Sequence, residues 1–180
     1  MPRFVYISKT DEDNSDYNAT FEALRARFGN KIAPLVVPIW DEDKKIIGII
    51  DVMNKRAYEM RDGKREEIEI PEGKEDVVTQ FNDALKESVA ETSEAFMDKF
   101  FSGEDFTYAE MIQGLRQGVR ELSLFPVLCG SAVNTMGSLM LLDYISELLP
   151  TPMEGNYHKA TRQDGETEEF VVSPGGVPTA

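Results

Sequence analysis

The chain has 180 residues, which fits one domain or one domain with an insertion. Apolar residues make up 41% and charged residues 29%, so a packed core can form and disorder is not the default. The net charge of −14, from 33 acidic against 19 basic residues, excludes autonomous binding to nucleic acid and suits a basic protein partner better.

Residues 3 to 8 open the chain as a strand. Phe4-Val5-Tyr6-Ile7 is apolar on both faces apart from Tyr6, a pattern that suits a parallel strand covered on both sides. The strand runs into Ser8-Lys9-Thr10-Asp11. An amphipathic helix is predicted next, with Phe21, Leu24 and Phe28 on its inner face and Gly29 as its stop. From Pro34, "PLVVPIWDEDKKIIGIIDVMNKRAYEM" reads as β-rich runs divided by a charged turn from Asp41 to Lys45, with Trp40 packing beside that turn. A further hairpin has Asp62-Gly63 at its tip, so a small antiparallel sheet is expected.

The period then changes to helix from Glu75 to Phe100. Val77, Val78, Phe81, Leu85, Val89, Phe96 and Phe100 mark one face, and Glu87, Glu91 and Glu94 a solvated one. Thr107 and Glu110 form a capping box ahead of Met111, Ile112, Leu115, Val119 and Leu122. Within that helix Gly114-x-x-x-Gly118 has polar neighbours, so it reads as a soluble helix with tolerated glycines, not a membrane dimer motif.

The β period returns at "LFPVLCGSA", residues 124 to 132, with Cys129 as a small core residue. A last helix carries Leu139, Met140, Leu141, Leu142, Ile145 and Leu148 and ends at Leu149-Pro150-Thr151-Pro152. From Met153 the chain is polar and rich in Gly and Pro, as a linker would be. A single cysteine excludes an internal disulfide and a cysteine metal cage, and the single His158 supports no histidine cluster. There is no signal peptide and no apolar run long enough to span a bilayer, so no membrane partner is expected and the chain reads as cytoplasmic. Strand-helix pairs open and close the chain around a self-contained β-then-α block, which an insertion in an α/β domain explains economically.

Ligands of parallel sheets bind at the carboxyl ends of strands, where both Ser8–Asp11 and Cys129–Ala132 fall. Guanine presents N1–H and N2–H₂ on one edge, and one carboxylate, Asp11, can accept both; adenine offers no such pair. The Lys9 stem can lie along the base plane, and an amide of Gly130-Ser131-Ala132 can donate to O6. Each loop alone is a common sequence and fits an ordinary turn; their pairing on two strands of one sheet carries the reading.

"SKTD", "PLVVPIW…GIIDVMNKRAYEM", "FPVLCGSA" and "LLDYISELLPTP" resemble elongation factor G and its close paralogues among the translational GTPases, in order from Pro2 to the C-terminus. The resemblance implies the C-terminal part of a P-loop GTPase fold: two parallel strands with helices, at 1–29 and 123–150, carrying an inserted α+β subdomain at 30–122, with 151–180 leading toward the next domain. It puts Lys9 and Asp11 on the family's Asn-Lys-x-Asp motif and Ser131 and Ala132 on its Ser-Ala motif, as guanine-binding residues. It implies GTP or GDP with Mg²⁺ as ligand of a full-length parent and the ribosome as partner, with the inserted subdomain facing the ribosomal stalk protein.

Two departures stand out. Ser8 replaces the family's Asn, which ties neighbouring loops together, with a shorter side chain and one donor. No Gly-x-x-x-x-Gly-Lys-Ser/Thr and no Asp-x-x-Gly occurs, so phosphates and Mg²⁺ have no holder here. A fragment is therefore expected, with no catalytic residue of its own, no bound nucleotide and no GTP hydrolysis alone. The alternatives are a non-catalytic module that docks the stalk, or an unrelated α/β adaptor with chance motifs. The first strand is expected to be an exposed edge that pairs in parallel with residues 124 to 128 and leaves its other flank open to self-association.

Overall fold

A computed structural model describes residues 1–42, 45–154, 158–161 and 165–170. The opening strand, β1, spans Val5–Ile7, and helix α1 spans Tyr17–Phe28. Asp16 caps α1 by accepting from the Ala19 amide at 2.8 Å, as short polar side chains do at helix starts. Phe21 is buried, whereas Phe28, expected inside, is 45% exposed. It meets Phe125 edge-on at the rim of the sheet.

After a 3₁₀ turn come β2 (Ile32–Pro34) and β3 (Val36–Trp40), separated only by Leu35. Strands β4 (Ile46–Asp51), β5 (Arg56–Arg61) and β6 (Lys64–Ile68) complete an antiparallel sheet in the order β3-β4-β5-β6. The Asp41-to-Lys45 turn closes through Asp41 N to Lys45 O at 3.0 Å and Lys45 N to the Asp41 carboxylate at 2.9 Å. Trp40 sits beside it against Tyr17. At the tip of the β5–β6 hairpin Asp62 and Gly63 both have positive φ, as a two-residue primed turn requires.

The single helix predicted over 75–100 is two: α2 (Glu75–Ala90) and α3 (Glu94–Phe101). The apolar period runs across the break, but Ser93 takes an extended conformation and accepts from the Phe96 amide, restarting the helix. Val77, expected on the inner face, is exposed. Helix α4 (Tyr108–Glu121) begins with the Thr107–Glu110 capping box. Leu122 caps its end in the left-handed conformation and is exposed rather than internal.

The glycines of α4 are required, not tolerated. A Cβ on Gly114 would lie 2.6 Å from Val89 Cγ1 of α2, and one on Gly118 would lie 2.6 Å from Leu124. Nor are all three acidic residues merely solvated: Glu87 accepts from Arg25 and Asn30, and Glu91 from Asn30, which pins α2 to the end of α1.

Strand β7 (Phe125–Cys129) is the middle of the second sheet, and helix α5 spans Ser138–Leu148. The parallel sheet has three strands rather than two, in the order β1-β7-β2. Val5 to Ile7 pair with Val127 to Cys129, and Ile32 to Pro34 pair with Phe125 to Val127. The extra strand is Ile32–Pro34, inside the stretch expected to be inserted. Leu35 couples the two sheets: its N–H donates to Val127 O at 2.8 Å and its carbonyl accepts from Val52 N at 3.0 Å.

One apolar cluster fills the space between the layers. It runs from Tyr17 and Phe21 through Val36, Ile50, Leu85 and Leu115 to Leu128 and Leu148. Cys129 is fully buried, and burial pushes its thiol pKa well up, so it is inert core. On α5, Leu139, Leu142 and Ile145 point outward; only Met140, Tyr144 and Leu148 are fully internal. After a 3₁₀ turn at Pro152–Glu154, the stretch read as a linker contains a hairpin of β8 (His158–Thr161) and β9 (Thr167–Phe170).

Candidate guanine-reading site

Parallel pairing of β1 with β7 brings both candidate loops to the same end of the sheet. Backbone bonds then lock them together. Gly130 N donates to Ile7 O at 3.0 Å, and Thr10 N donates back to Gly130 O at 3.3 Å. This tie uses main-chain atoms only, so it does not depend on which side chain stands at position 8. Ser8 is exposed.

Lys9 adopts φ +60, a left-handed conformation that costs a non-glycine residue and clusters at functional positions. Its ammonium reaches Glu12 at 3.1 Å, but both side chains are largely exposed, so the pair is weak and Lys9 can exchange partners. Asp11 is an exposed turn residue. The loop turns back through Glu12 N to Lys9 O, and the Ser15 hydroxyl donates to Thr10 O at 3.0 Å. Thr10 is buried and its Oγ1 has no partner. Ser8, Lys9 and Thr10 also line a cleft of about 270 Å³ against Asp16, Tyr17 and Thr20.

On the β7 side the loop is compressed. A Cβ on Gly130 would lie 2.1 Å from Met136 O and 2.2 Å from the Tyr6 hydroxyl, so only glycine fits. A Cβ on Gly137, which has φ +78 and caps the start of α5, would lie 2.2 Å from Cys129 O. Ser131 is fully buried: its N–H donates to Met136 O at 2.9 Å and its Oγ accepts from Val133 N at 3.2 Å. Ala132 is exposed. Of the three amides expected to serve a base, those of Gly130 and Ser131 are thus used inside the fold. Ala132 N–H makes no such bond among the described residues.

The sequence reading missed Thr10, Met136 and Tyr6 as parts of the site. No spacing signal marks them, because they act through backbone atoms or by contact. Gly130, next to Ser131 in a loop of small residues, was the one visible clue to close packing.

A protein from Mycoplasma pneumoniae named elongation factor G is 32% identical over 176 residues, covering 96% of this chain and 25% of its own length. The chain is a relative of elongation factor G. An elongation factor G-like protein of Thermotoga maritima is 31% identical over 172 residues, again 96% of this chain but 24% of the other. A crystal structure of a Thermus thermophilus protein superposes with a TM-score of 0.77 at 32% identity, covering 87% of this chain and 24% of that one. No known family profile matches. The chain thus spans about a quarter of the length of the elongation factor G relatives it matches, and its α/β architecture, with a parallel sheet and a separate antiparallel one, is the expected one. Among the described residues no helix is long and apolar enough to cross a membrane, and no cluster of His, Cys, Asp and Glu could hold a metal ion.

Proposed function

We propose that this chain is the guanine-reading part of a longer, cytoplasmic translational GTPase that acts on the ribosome in elongation, joined to a subdomain that docks protein. The observation that supports this best is the backbone tie between the two strand-end loops. It fixes Asp11 and the Gly130–Ala132 loop to one end of one sheet whatever their side chains do. In this reading Asp11 accepts from guanine N1–H and N2–H₂, Lys9 covers the base plane, and Ala132 N–H donates to O6. Ser131 shapes the loop from its buried position, and Ser8 contributes little.

GTP or GDP fits this chain at the base alone. The phosphates and Mg²⁺ would be held by residues outside these 180, since the sequence has no phosphate loop. The bound nucleotide supplies the scissile phosphoanhydride; this chain's residues select the base. The chain alone should then release no phosphate from GTP. Docking to the ribosomal stalk fits the outer surface of the 36–122 block, and that block acting as a docking module alone is the second reading.

The test uses the full-length parent. Asp11→Asn replaces two acceptor positions by one and leaves a donor facing a donor, at a cost of about 1 to 3 kcal/mol. Guanosine diphosphate binding should weaken accordingly, and xanthosine diphosphate, whose C2 carbonyl can accept from the amide, should gain. An unchanged preference for guanosine over xanthosine diphosphate removes Asp11 from the site.

A further inference from the structure

How the loop from Gly130 to Gly137 sits on the sheet decides where the Ala132 N–H points. Bonds inside the loop keep its shape: Ser131 N to Met136 O, Val133 N to Ser131 Oγ, and Met136 N to Asn134 Oδ1 at 3.1 Å. Among the described residues, its main-chain bonds to β1 and the loop that follows are those of Gly130, to Ile7 and Thr10. The far end has no such tie. Gly137 starts α5 in the left-handed conformation with no side-chain cap. A loop tied at one residue can still pivot about it.

One side chain touches both ends. Tyr6 is the only polar residue of Phe4-Val5-Tyr6-Ile7 and stands opposite Leu128. Its hydroxyl lies 2.2 Å from the point that a Cβ on Gly130 would occupy, so it fills the space that glycine leaves. It also shares a hydrogen bond with Ser138, the first residue of α5. Burial and then Cys129 raise its pKa, and the Ser138 bond opposes them only in part, so the group is a neutral hydroxyl at ordinary pH. A phenylalanine would pack the ring equally well; a tyrosine hydroxyl inside a fold is kept where it has a partner.

We infer, on the guanine reading proposed above, that Tyr6 is a positioning residue for base selection: its hydroxyl braces the loop at Gly130 and at Ser138 and so aims the Ala132 N–H at guanine O6. The Asp11 loop closes separately, through Glu12 N to Lys9 O and the Ser15 hydroxyl to Thr10 O. Recognition of N1–H and N2–H₂ by Asp11 therefore does not pass through Tyr6. The hydroxyl governs O6 alone.

The test compares three nucleoside diphosphates in the full-length parent. Thioguanosine diphosphate puts a weakly accepting sulfur in place of O6, and inosine diphosphate lacks the amino group at C2 but keeps O6. In the unaltered parent guanosine diphosphate should bind more tightly than either. Tyr6→Phe should shrink the preference for guanosine over thioguanosine about threefold or more, the scale of one hydrogen bond. It should leave the preference for guanosine over inosine where it was. Ser138→Ala, which removes the partner and keeps Tyr6 whole, should move the same ratio in the same direction. A merely structural side chain moves both ratios or neither. Either result in Tyr6→Phe, or in Ser138→Ala should Tyr6→Phe not fold, overturns the role of Tyr6 while the reading of Asp11 stands. No preference for guanosine over inosine or thioguanosine in the unaltered parent overturns the guanine reading itself, and the role of Tyr6 with it.

Discussion

The end of the parallel sheet and the α2–α4 block are stabilised in opposite ways. At the sheet end, two main-chain bonds and the close approach of Gly130 to Met136 O and Tyr6 hold the loops, while Ser8, Lys9, Asp11 and Ala132 keep exposed side chains. In the block, side chains do the holding: Leu85, Val89 and Leu115 are fully buried, and Lys99 bonds both oxygens of Glu110 at 2.7 and 2.9 Å. A loop fixed by its backbone can change an exposed side chain such as that of Ser8 without losing its position. A block fixed by side chains cannot.

The sharpest test of this contrast is Leu115→Ala. Leu115 is fully buried in α4, and such truncations cost about 2 to 5 kcal/mol. Urea unfolding should show that loss while the Thr10 and Gly130 amide resonances keep their native positions. Gly130→Ala should cost less, about 1 to 3 kcal/mol for forced overpacking, but should shift those amides and those of Ser131 to Gly137. Shifts after Leu115→Ala, or none after Gly130→Ala, break the distinction.

Among the described residues β1 pairs only with β7, and open edges recruit strands. The −14 charge opposes association at low salt and is screened as salt rises. Sedimentation should therefore show a dimer fraction that grows with protein concentration and with ionic strength. A monomer throughout, with protected amides at residues 5 to 7, means that the edge is covered within the chain.

The smallest effect concerns Glu110. Hydrogen bonds from Lys99, then from the Thr107 backbone and hydroxyl, lower its pKa to about 2 from the ordinary 4.5. The folded value lies below the unfolded one, so this contribution to stability is complete above about pH 5 and is lost as pH falls toward 2. Its carboxyl should titrate near 2 by NMR, and Lys99→Met should raise that midpoint toward the ordinary range.

Much of this architecture was legible. The capping box, the Asp62-Gly63 turn and the two strand-end loops carry local signals that act over a few residues. What escaped was set by distant partners. Ile32–Pro34 is three residues long and becomes a strand because β7 lies beside it. The break at Ser93 hides in an unbroken apolar period, although Thr92-Ser93 followed by Glu94 is a cap signal in retrospect. Gly114 and Gly118 reveal their purpose only when Val89 and Leu124 are seen against them. At the site, Lys9 and Ser131 were identified by motif, but the exposure of the first and the burial of the second depend on β1 and β7 meeting in register.

Leu35 sets where this protein can be cut. A deletion of 30–122, tidy on paper, removes β2 and with it one flank of the strand that carries the Gly130 loop. A shortened domain would keep its second flank only if the excision began beyond Leu35, and it would still have to replace the donor that Val52 gives to the Leu35 carbonyl. The two sheets therefore cannot be exchanged as separate cassettes; the seam at Leu35 has to be redesigned together with both sides.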